Sequence, residues 1–286
     1  MTNRKKTSDV NQAIILCGGL GTRLRPLTNS TPKPMVKVND EPFIYYLLSQ
    51  LSIQGIKKFT LLTGYLGKNI SEYFGDGSRW GWKIEYSEGP VEWDTGRRIW
   101  EVQNKLDDKF LLLYSDNFAT FNLKKIVEFH NKNERSLTLS LAEKKDGNIE
   151  IDSEGNVLNY DKHRTKPNLN HVEIGYMVID KASIFSLYDE PDINFSEIIT
   201  KAIKKLSVGG FLVKDGYKSI SDPSRLEITQ QFLKFKKIIL IDRDGVINKR
   251  ASKGEYVTNW ADFHFIKETY EAMCSLSEKG YQFIVI

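Results

Sequence analysis

Apolar residues in the first half of the chain come in short runs set between amphipathic stretches. QAIILC reads as a buried strand, and FTLLTG, WKIEYSE and FLLLYSD read as three more. Between them, PFIYYLLSQLSIQG, NISEYFG, GRRIWEVQNKL and NLKKIVEFHNKN carry helical patterning, with Pro42 suited to a first helical turn and Gly55 to a helix end. Strands alternating with helices predict an α/β fold, a Rossmann-like and mostly parallel sheet flanked by helices. Ligands of such sheets bind beyond the carboxyl ends of the strands. The glycine-rich stretch after Cys17 and the carboxylate of Asp116 both fall at ends of that kind.

The rhythm changes near Ser136. SLTLSLAEK, NIEIDSEGNVLNYDK and VEIGYMVID read as antiparallel or mixed strands with a turn at Ser153–Gly155, the pattern of a lid or substrate subdomain. FSEIITKAIKKL reads as a helix, and FLVKDG and YKSIS as strands. A further helix opens at Asp222-Pro223, with Ser221 or Asp222 as its cap. It ends near Phe235, and KKIILIDRDGVIN starts a new unit without a Gly/Ser linker. The expected division is therefore 1–235 and 236–286. No internal repeat or low-complexity tract is present, and no repeated hexapeptide signals a β-helix.

Composition narrows the classes. The chain has 286 residues, 40% hydrophobic and 27% charged, as soluble globular proteins do. A formal charge of +4 with no long basic block gives no reason to expect a nucleic-acid partner, and NRKK near the start reads as a solvated tail. No signal-peptide core and no run of transmembrane length appear, so no membrane is expected. Cys17 and Cys274 have neither metal nor redox spacing, which fits a reducing cytoplasm. A monomer and a homo-oligomer are both compatible with the sequence.

CGGLGTRLRPLTNSTPKPM, residues 17–35, concentrates the candidate chemistry. It is not a dinucleotide fingerprint, because Leu24 stands where the third glycine is required, and it lacks the Gly-Lys-Ser/Thr of a nucleoside-triphosphatase loop. Gly18, Gly19 and Gly21 let backbone N–H groups approach phosphate oxygens without Cβ obstruction. Arg23 can fork onto those oxygens, and Lys33 adds a compact charge. The glycines alone fit a tight turn among surface basic residues equally well; the complete string is more specific. GGLGTRLRPLTNSTPKPM resembles the signature of the sugar-1-phosphate nucleotidylyltransferases, which join a nucleoside triphosphate to a sugar 1-phosphate and release pyrophosphate. The resemblance spans about residues 12–233 and is strongest to the branch acting on mannose or D-glycero-D-manno-heptose 1-phosphate with GTP. It implies nucleotide contacts from Leu16, Gly18, Gly19, Gly21, Thr22, Arg23, Thr95 and Gly96, with Arg23 and Lys33 at the reacting groups.

LLLYSDN puts Asp116 at the end of an apolar strand, where a hard oxygen ligand suits Mg²⁺. Standing alone it would read as a turn cap; in the family the matching aspartate binds the metal. A second metal aspartate is expected before the helix at Pro223, but Ser219 occupies that place. Asp222, three residues on, reads better as an N-cap than as a ligand. Either Ser219 reaches the ion through water, or Asp116 holds it with the phosphates.

SEGPVEWDTGRRI matches without a gap the family segment beside base and sugar, which commonly ends Gly-Thr-Gly-Gly-Ala-Leu. Thr95 and Gly96 match, whereas Asp94, Arg97 and Arg98 replace small residues. The two arginines read as a solvated helix face or as groups reaching an anionic substrate. In YDKHR, Lys162 matches the lysine of the family's Glu-Lys-Pro motif and would screen the sugar phosphate. Glu173 would hydrogen-bond sugar hydroxyls, and Gly147 would give the sugar room. Reaction by in-line attack on the α-phosphorus requires positioning and charge, so Arg23, Lys33, Lys162 and a metal on Asp116 suffice and no nucleophilic side chain is required.

IILIDRDGVIN delivers Asp242 and Asp244 two residues apart after an apolar strand, so both project toward one side. One carboxylate could attack phosphorus while the other protonates the leaving oxygen, with Mg²⁺ shielding both. Asp242, Asp244 and Asn248 resemble motif I of haloacid-dehalogenase-like phosphatases, and EYVTNWADFHFI resembles the heptose-bisphosphate branch. The later motifs of that family do not follow, so no phosphatase turnover and an exposed apolar edge at Phe283–Ile286 are expected. Two rival readings remain at this point. One is a phosphatase whose first domain is a scaffold; the other is a non-catalytic sugar-nucleotide sensor, suggested by Ser219 and the paired arginines.

Overall fold

Every residue of the first apolar run is sealed from solvent, as a strand covered on both faces must be. In this computed structural model that run is β1 (Gln12–Cys17). The structure describes residues 10–167, 169–234, 237–252, 255–278 and 281–286. The NRKK tail and the expected boundary at 235 and 236 lie outside them. Two compact units divide the chain, Met1–Phe232 and Leu233–Ile286.

In the first unit β1 is followed by β2 (Lys37–Val38), β3 (Glu41–Pro42), α1 (Phe43–Ile53), β4 (Lys58–Thr63) and α2 (Gly67–Phe74). Next come β5 (Lys83–Glu88), α3 (Thr95–Glu101), β6 (Lys109–Tyr114), β7 (Asn117–Ala119) and α4 (Leu123–Lys132). The subdomain strands are β8 (Leu137–Glu143), β9 (Ile149–Ile151), β10 (Val157–Tyr160) and β11 (His171–Asp180). The unit ends with α5 (Lys181–Phe185), α6 (Phe195–Lys205), β12 (Val208–Leu212), β13 (Tyr217–Ser219) and α7 (Pro223–Phe232).

The four strands of the alternating half lie side by side in parallel, β6 and β4 flanking β1, with β5 beyond β4. Ile14 sits opposite Thr60 on one side and Leu112 on the other. β11 then pairs antiparallel with β6 and β8, β9 and β10 form an antiparallel hairpin, and β12 adds in parallel to β8. The result is one mixed sheet of nine strands, mostly parallel where the alternating pattern lies. Ile14, Leu16, Leu62 and Leu112 from the parallel strands pack with Ile99 of α3 and with Phe195, Ile198 and Ile199 of α6. α1 buries Phe43, Ile44, Leu47, Leu48 and Leu51 completely, and stops at Gly55, whose φ of 103° disfavours a side chain. Asn122 caps α4 by accepting from the Lys125 amide at 3.0 Å.

Two expectations need correction. The helix read over 96–106 ends as α3 at Glu101 and continues only as a short 3₁₀ turn at Gln103–Lys105. The strand expected at FLVKDG begins earlier, at Val208. Gly209 and Gly210 obscured it. A Cβ on Gly209 would lie 2.7 Å from the Phe129 ring, and one on Gly210 2.5 Å from Leu141, so close packing rather than a turn accounts for both.

In the second unit, β14 (Lys237–Ile241) and β15 (Tyr281–Val285) pair in parallel, with α8 (Lys267–Glu278) between them in sequence. No helix among the described residues is long and apolar enough to cross a membrane.

Candidate active site

Beyond the carboxyl end of β1 the chain runs out of the sheet at Gly18 and turns at Gly21, which has φ 64° and ψ 29°. A Cβ there would also meet Lys33 Cβ at 2.9 Å, so conformation and packing both require glycine. Buried Thr28 donates its hydroxyl to the Gly21 carbonyl at 2.9 Å, and fully buried Leu24 anchors the following 3₁₀ turn in the core. Tyr65 closes the loop from outside through its hydroxyl, which donates to the Asn29 carbonyl at 3.0 Å. A glycine-rich loop is thus held by its own hydrogen bonds.

Parallel pairing brings the ends of β1 and β6 together. The buried Ser115 hydroxyl donates to the Leu16 carbonyl at 2.6 Å, which leaves Asp116 facing the loop. Lys33, set between two prolines, reaches across and pairs its Nζ with Asp116 Oδ2 at 2.6 Å. These residues were 83 positions apart in sequence. Beside this pair lies a cleft of about 400 Å³. It is lined by Leu16, Gly18, Gly19, Gly21, Thr22, Arg23, Lys33, Thr95 and Asp116, which sequence reading had named. The cleft also takes Val91, Trp93, Tyr114 and Ser221, which the sequence did not single out for it, and Arg98, one of the two arginines read as a solvated face or as reaching an anion. Tyr114 directly precedes Ser115 and Asp116 on the same strand end, and that adjacency was a usable signal.

Other expected residues fall elsewhere. Gly96 is not in the lining. A Cβ on it would strike the Ile193 carbonyl at 2.2 Å, and the neighbouring Thr95 hydroxyl accepts from the Phe195 amide at 3.0 Å. Both residues dock the first turn of α3 onto the segment before α6. Gly147 is pressed against backbone in the same way, with the His171 carbonyl 2.0 Å from where a Cβ would stand. Lys162 is exposed and outside the lining, on a turn organised by Asp161. Amide donors from Lys166, His163 and Thr165 hold the Asp161 carboxyl well below the ordinary range.

Glu173 lies behind the cleft on β11, accepting from the Gly175 amide. Burial pushes its carboxyl up to about 8, against the pull of that amide and with the nearby Asp116 charge adding to the rise. Tyr114 is raised by burial and by Glu173 beside it. Ser219 is buried, and its Oγ accepts from the Ser221 amide at 3.1 Å. The Ile220 amide donates to the Asp116 carbonyl at 3.0 Å, so this segment runs alongside Asp116 and turns Ser221 into the cleft. Asp222 Oδ1 accepts from the Arg225 amide at 3.0 Å, the geometry of a helix cap. Arg97 pairs with Glu101 at 2.6 Å and stacks on Trp93, whereas Arg98 is buried. A solvated face describes neither.

No group of three or more His, Cys, Asp or Glu suited to a metal occurs among the described residues. A single carboxylate beside a cleft lined by glycine amides and cationic side chains nonetheless matches a cation that takes most of its ligands from phosphate and water. In the second unit, Asp242 is exposed directly after β14. Both oxygens of Asp244 accept from the Arg243 guanidinium at 2.9 Å, and Asn248 is fully buried.

Glycine amides, cationic side chains and one carboxylate at the ends of parallel strands define the class: an α/β protein with a cleft whose lining has the chemistry to receive an anion. A profile of the nucleotidyl transferase family matches residues 12–279. The chain belongs to that family of enzymes. It is 32% identical over 217 residues to a D-glycero-alpha-D-manno-heptose 1-phosphate guanylyltransferase of Campylobacter jejuni, covering 74% of this chain and 95% of the relative. It is 34% identical over 174 residues to a mannose-1-phosphate guanylyltransferase of Mycobacterium tuberculosis, covering 59% of this chain and 48% of that protein, about half its length. The crystal structure of HddC from Yersinia pseudotuberculosis complexed with GMP-PN superposes with a TM-score of 0.66 at 23% identity, over 79% of this chain and all of that one. That likeness concerns the fold.

Proposed function

We propose that the protein transfers a nucleotidyl group from a nucleoside triphosphate to a sugar 1-phosphate and releases pyrophosphate. GTP with D-glycero-D-manno-heptose or mannose 1-phosphate is the favoured pair, on the strength of the two guanylyltransferase relatives. The observation that carries the reading is the meeting of the Gly18–Gly21 amides, Arg23, Lys33 and Asp116 around one cleft, with Lys33 and Asp116 at 2.6 Å.

In this reading the loop amides and Arg23 hold the triphosphate, and Lys33 neutralises charge as the sugar phosphate approaches the α-phosphorus. Asp116, with Ser221 alongside, would hold Mg²⁺; the ion supplies Lewis-acid stabilisation of phosphate oxygens. Glu173 remains the sugar-side candidate, being a carboxyl held largely protonated at neutral pH and able to donate as well as accept. Lys162 would join only if its exposed turn moved, and Gly147 serves the backbone first. Substrates are small molecules, and a cytoplasmic setting suits them.

For the second unit the reading is an N-terminal portion of a haloacid-dehalogenase-like phosphatase. Its support is Asp242 at the end of a strand followed in sequence by a helix and a parallel strand. Arg243 engages both Asp244 oxygens, and that pairing must open before Asp244 can act on a phosphate.

The deciding experiment is a panel of four nucleoside triphosphates against several sugar 1-phosphates, read by pyrophosphate. Asp116→Ala and Lys33→Ala should each lower kcat by about a hundredfold or more. No pyrophosphate from any pair would favour a non-catalytic binder.

A further inference from the structure

We propose that Arg98 is a positioning residue that holds the nucleotide cleft in its binding shape, an inference that rests on reading the cleft as a nucleotide site. Arg98 is the fourth residue of α3 and is only 5% exposed. Its Nη1 donates to the Thr63 carbonyl at 2.7 Å and its Nη2 to the Pro90 carbonyl at 2.6 Å. A longer contact of 3.5 Å reaches the Gly89 carbonyl. Thr63 ends β4, while Gly89 and Pro90 open the segment that carries Val91 and Trp93 along the cleft wall. The guanidinium also lies flat against two glycine backbones. A Cβ on Gly18 would come within 2.4 Å of its Cζ, and one on Gly64 within 2.9 Å of Nη2. One side chain therefore touches the ends of β1 and β4 and the loop after β5, and lines the cleft itself.

Its charge is as informative as its contacts. Among the described residues its hydrogen-bond partners are backbone carbonyls, and no salt bridge joins it to a carboxylate. Burying a cation without a directly paired carboxylate is costly, and an apolar side chain would fix α3 with less desolvation. Only a planar fork spans carbonyls from two separate segments. Glu92 acts on Arg98 only through space, without a salt bridge, so positive charge behind Gly18 and Gly19 complements a polyphosphate in front of them. Arg98 thus sets the distance between the glycine side of the cleft and the Val91–Trp93 side. Lys33 and Asp116, at the reacting end, do not depend on it.

The test uses the full chain with Mg²⁺ and GTP, or whichever of the four nucleoside triphosphates the wild type binds. Kd is read by calorimetry, and kcat and KM by pyrophosphate release. Arg98→Lys and Arg98→Ala are expected to raise Kd and KM about tenfold or more while kcat changes less than about threefold. Added guanidinium ion should restore Arg98→Ala and leave Arg98→Lys impaired, since lysine still fills the space without the fork. Unchanged Kd in both variants, a fall in kcat with KM unaltered, or full function with lysine overturns the proposal. If Arg98→Ala does not fold, Arg98→Lys, checked by circular dichroism, decides alone. A wild type that binds no nucleoside triphosphate overturns the nucleotide reading itself, whereas a wild type that binds no better than its variants overturns only the role of Arg98.

Discussion

Glu173 shows how a single side chain makes the site sensitive to pH. Its carboxyl titrates at about 8 in the folded protein against an ordinary value of 4.5. A carboxyl raised by folding binds more protons when folded, so its contribution is complete below the unfolded value and is lost as pH rises through about 8. Glu173→Gln keeps an acceptor for the Gly175 amide and removes the titration. In EDTA the variant should match the wild type in urea unfolding at about pH 4, and exceed it by a few kcal/mol at about pH 9. How much of the site was legible also differs residue by residue. The glycine string and Asp116 announced themselves because their chemistry is local: flexible backbone or a carboxylate at a strand end. Arg98 stood only as one of a pair, a solvated face or a reach toward an anion, because it is held by backbone carbonyls, one of them 35 positions away, and a carbonyl looks the same on every residue. Gly147 and Gly96 were expected to give a sugar and a nucleotide room, whereas a side chain on either would strike the His171 or Ile193 carbonyl of the chain itself.

Where α4 packs on β8, a histidine couples helix docking to acid. His130 is 1% exposed, and its Nδ1 lies 2.9 Å from Thr138 Oγ1, with Nε2 unpartnered. Burial lowers its pKa from 6.5 to about 4; the charges of Lys109 and Arg135 assist and Asp180 opposes. A histidine depressed by folding stabilises fully above its unfolded value, and that contribution is lost as pH falls from 6.5 through about 4. His130→Gln should flatten the unfolding free energy across that window, removing about 3 kcal/mol of its slope. Strands and helices themselves were largely readable, since burial on both faces writes unbroken apolar runs and one-sided burial writes a helical period. β12 begins earlier than its apolar pattern suggests because Gly209 and Gly210 make room for Phe129 of α4 and Leu141 of β8, which no local pattern records.

The two units differ in what they ask of the chain. Every cleft residue, from Leu16 to Ser221, belongs to Met1–Phe232, although the family match continues to residue 279. A protein cut after Phe232 is therefore expected to keep the nucleoside triphosphate Kd of the full chain within about threefold, measured by calorimetry. A loss beyond tenfold would assign the second unit a share in binding. Ile284, Val285 and Ile286 stand from 48% to 71% exposed on and after β15, an apolar edge in keeping with the pattern of that segment.

The hydroxyl of Ser115 on the Leu16 carbonyl carries a last consequence. It ties the rear of the cleft to the central strand pair, while the segment from Leu20 to Met35 lies outside the sheet on its own turns and on side-chain ties to Tyr65 and Asp116. Backbone deuterium uptake at Cys17 and Ser115 would then await opening of the entire sheet, and the outer segment would exchange through local excursions. Mild heating would silence such an enzyme by loosening its mouth long before its foundation melts, and cooling would bring it back.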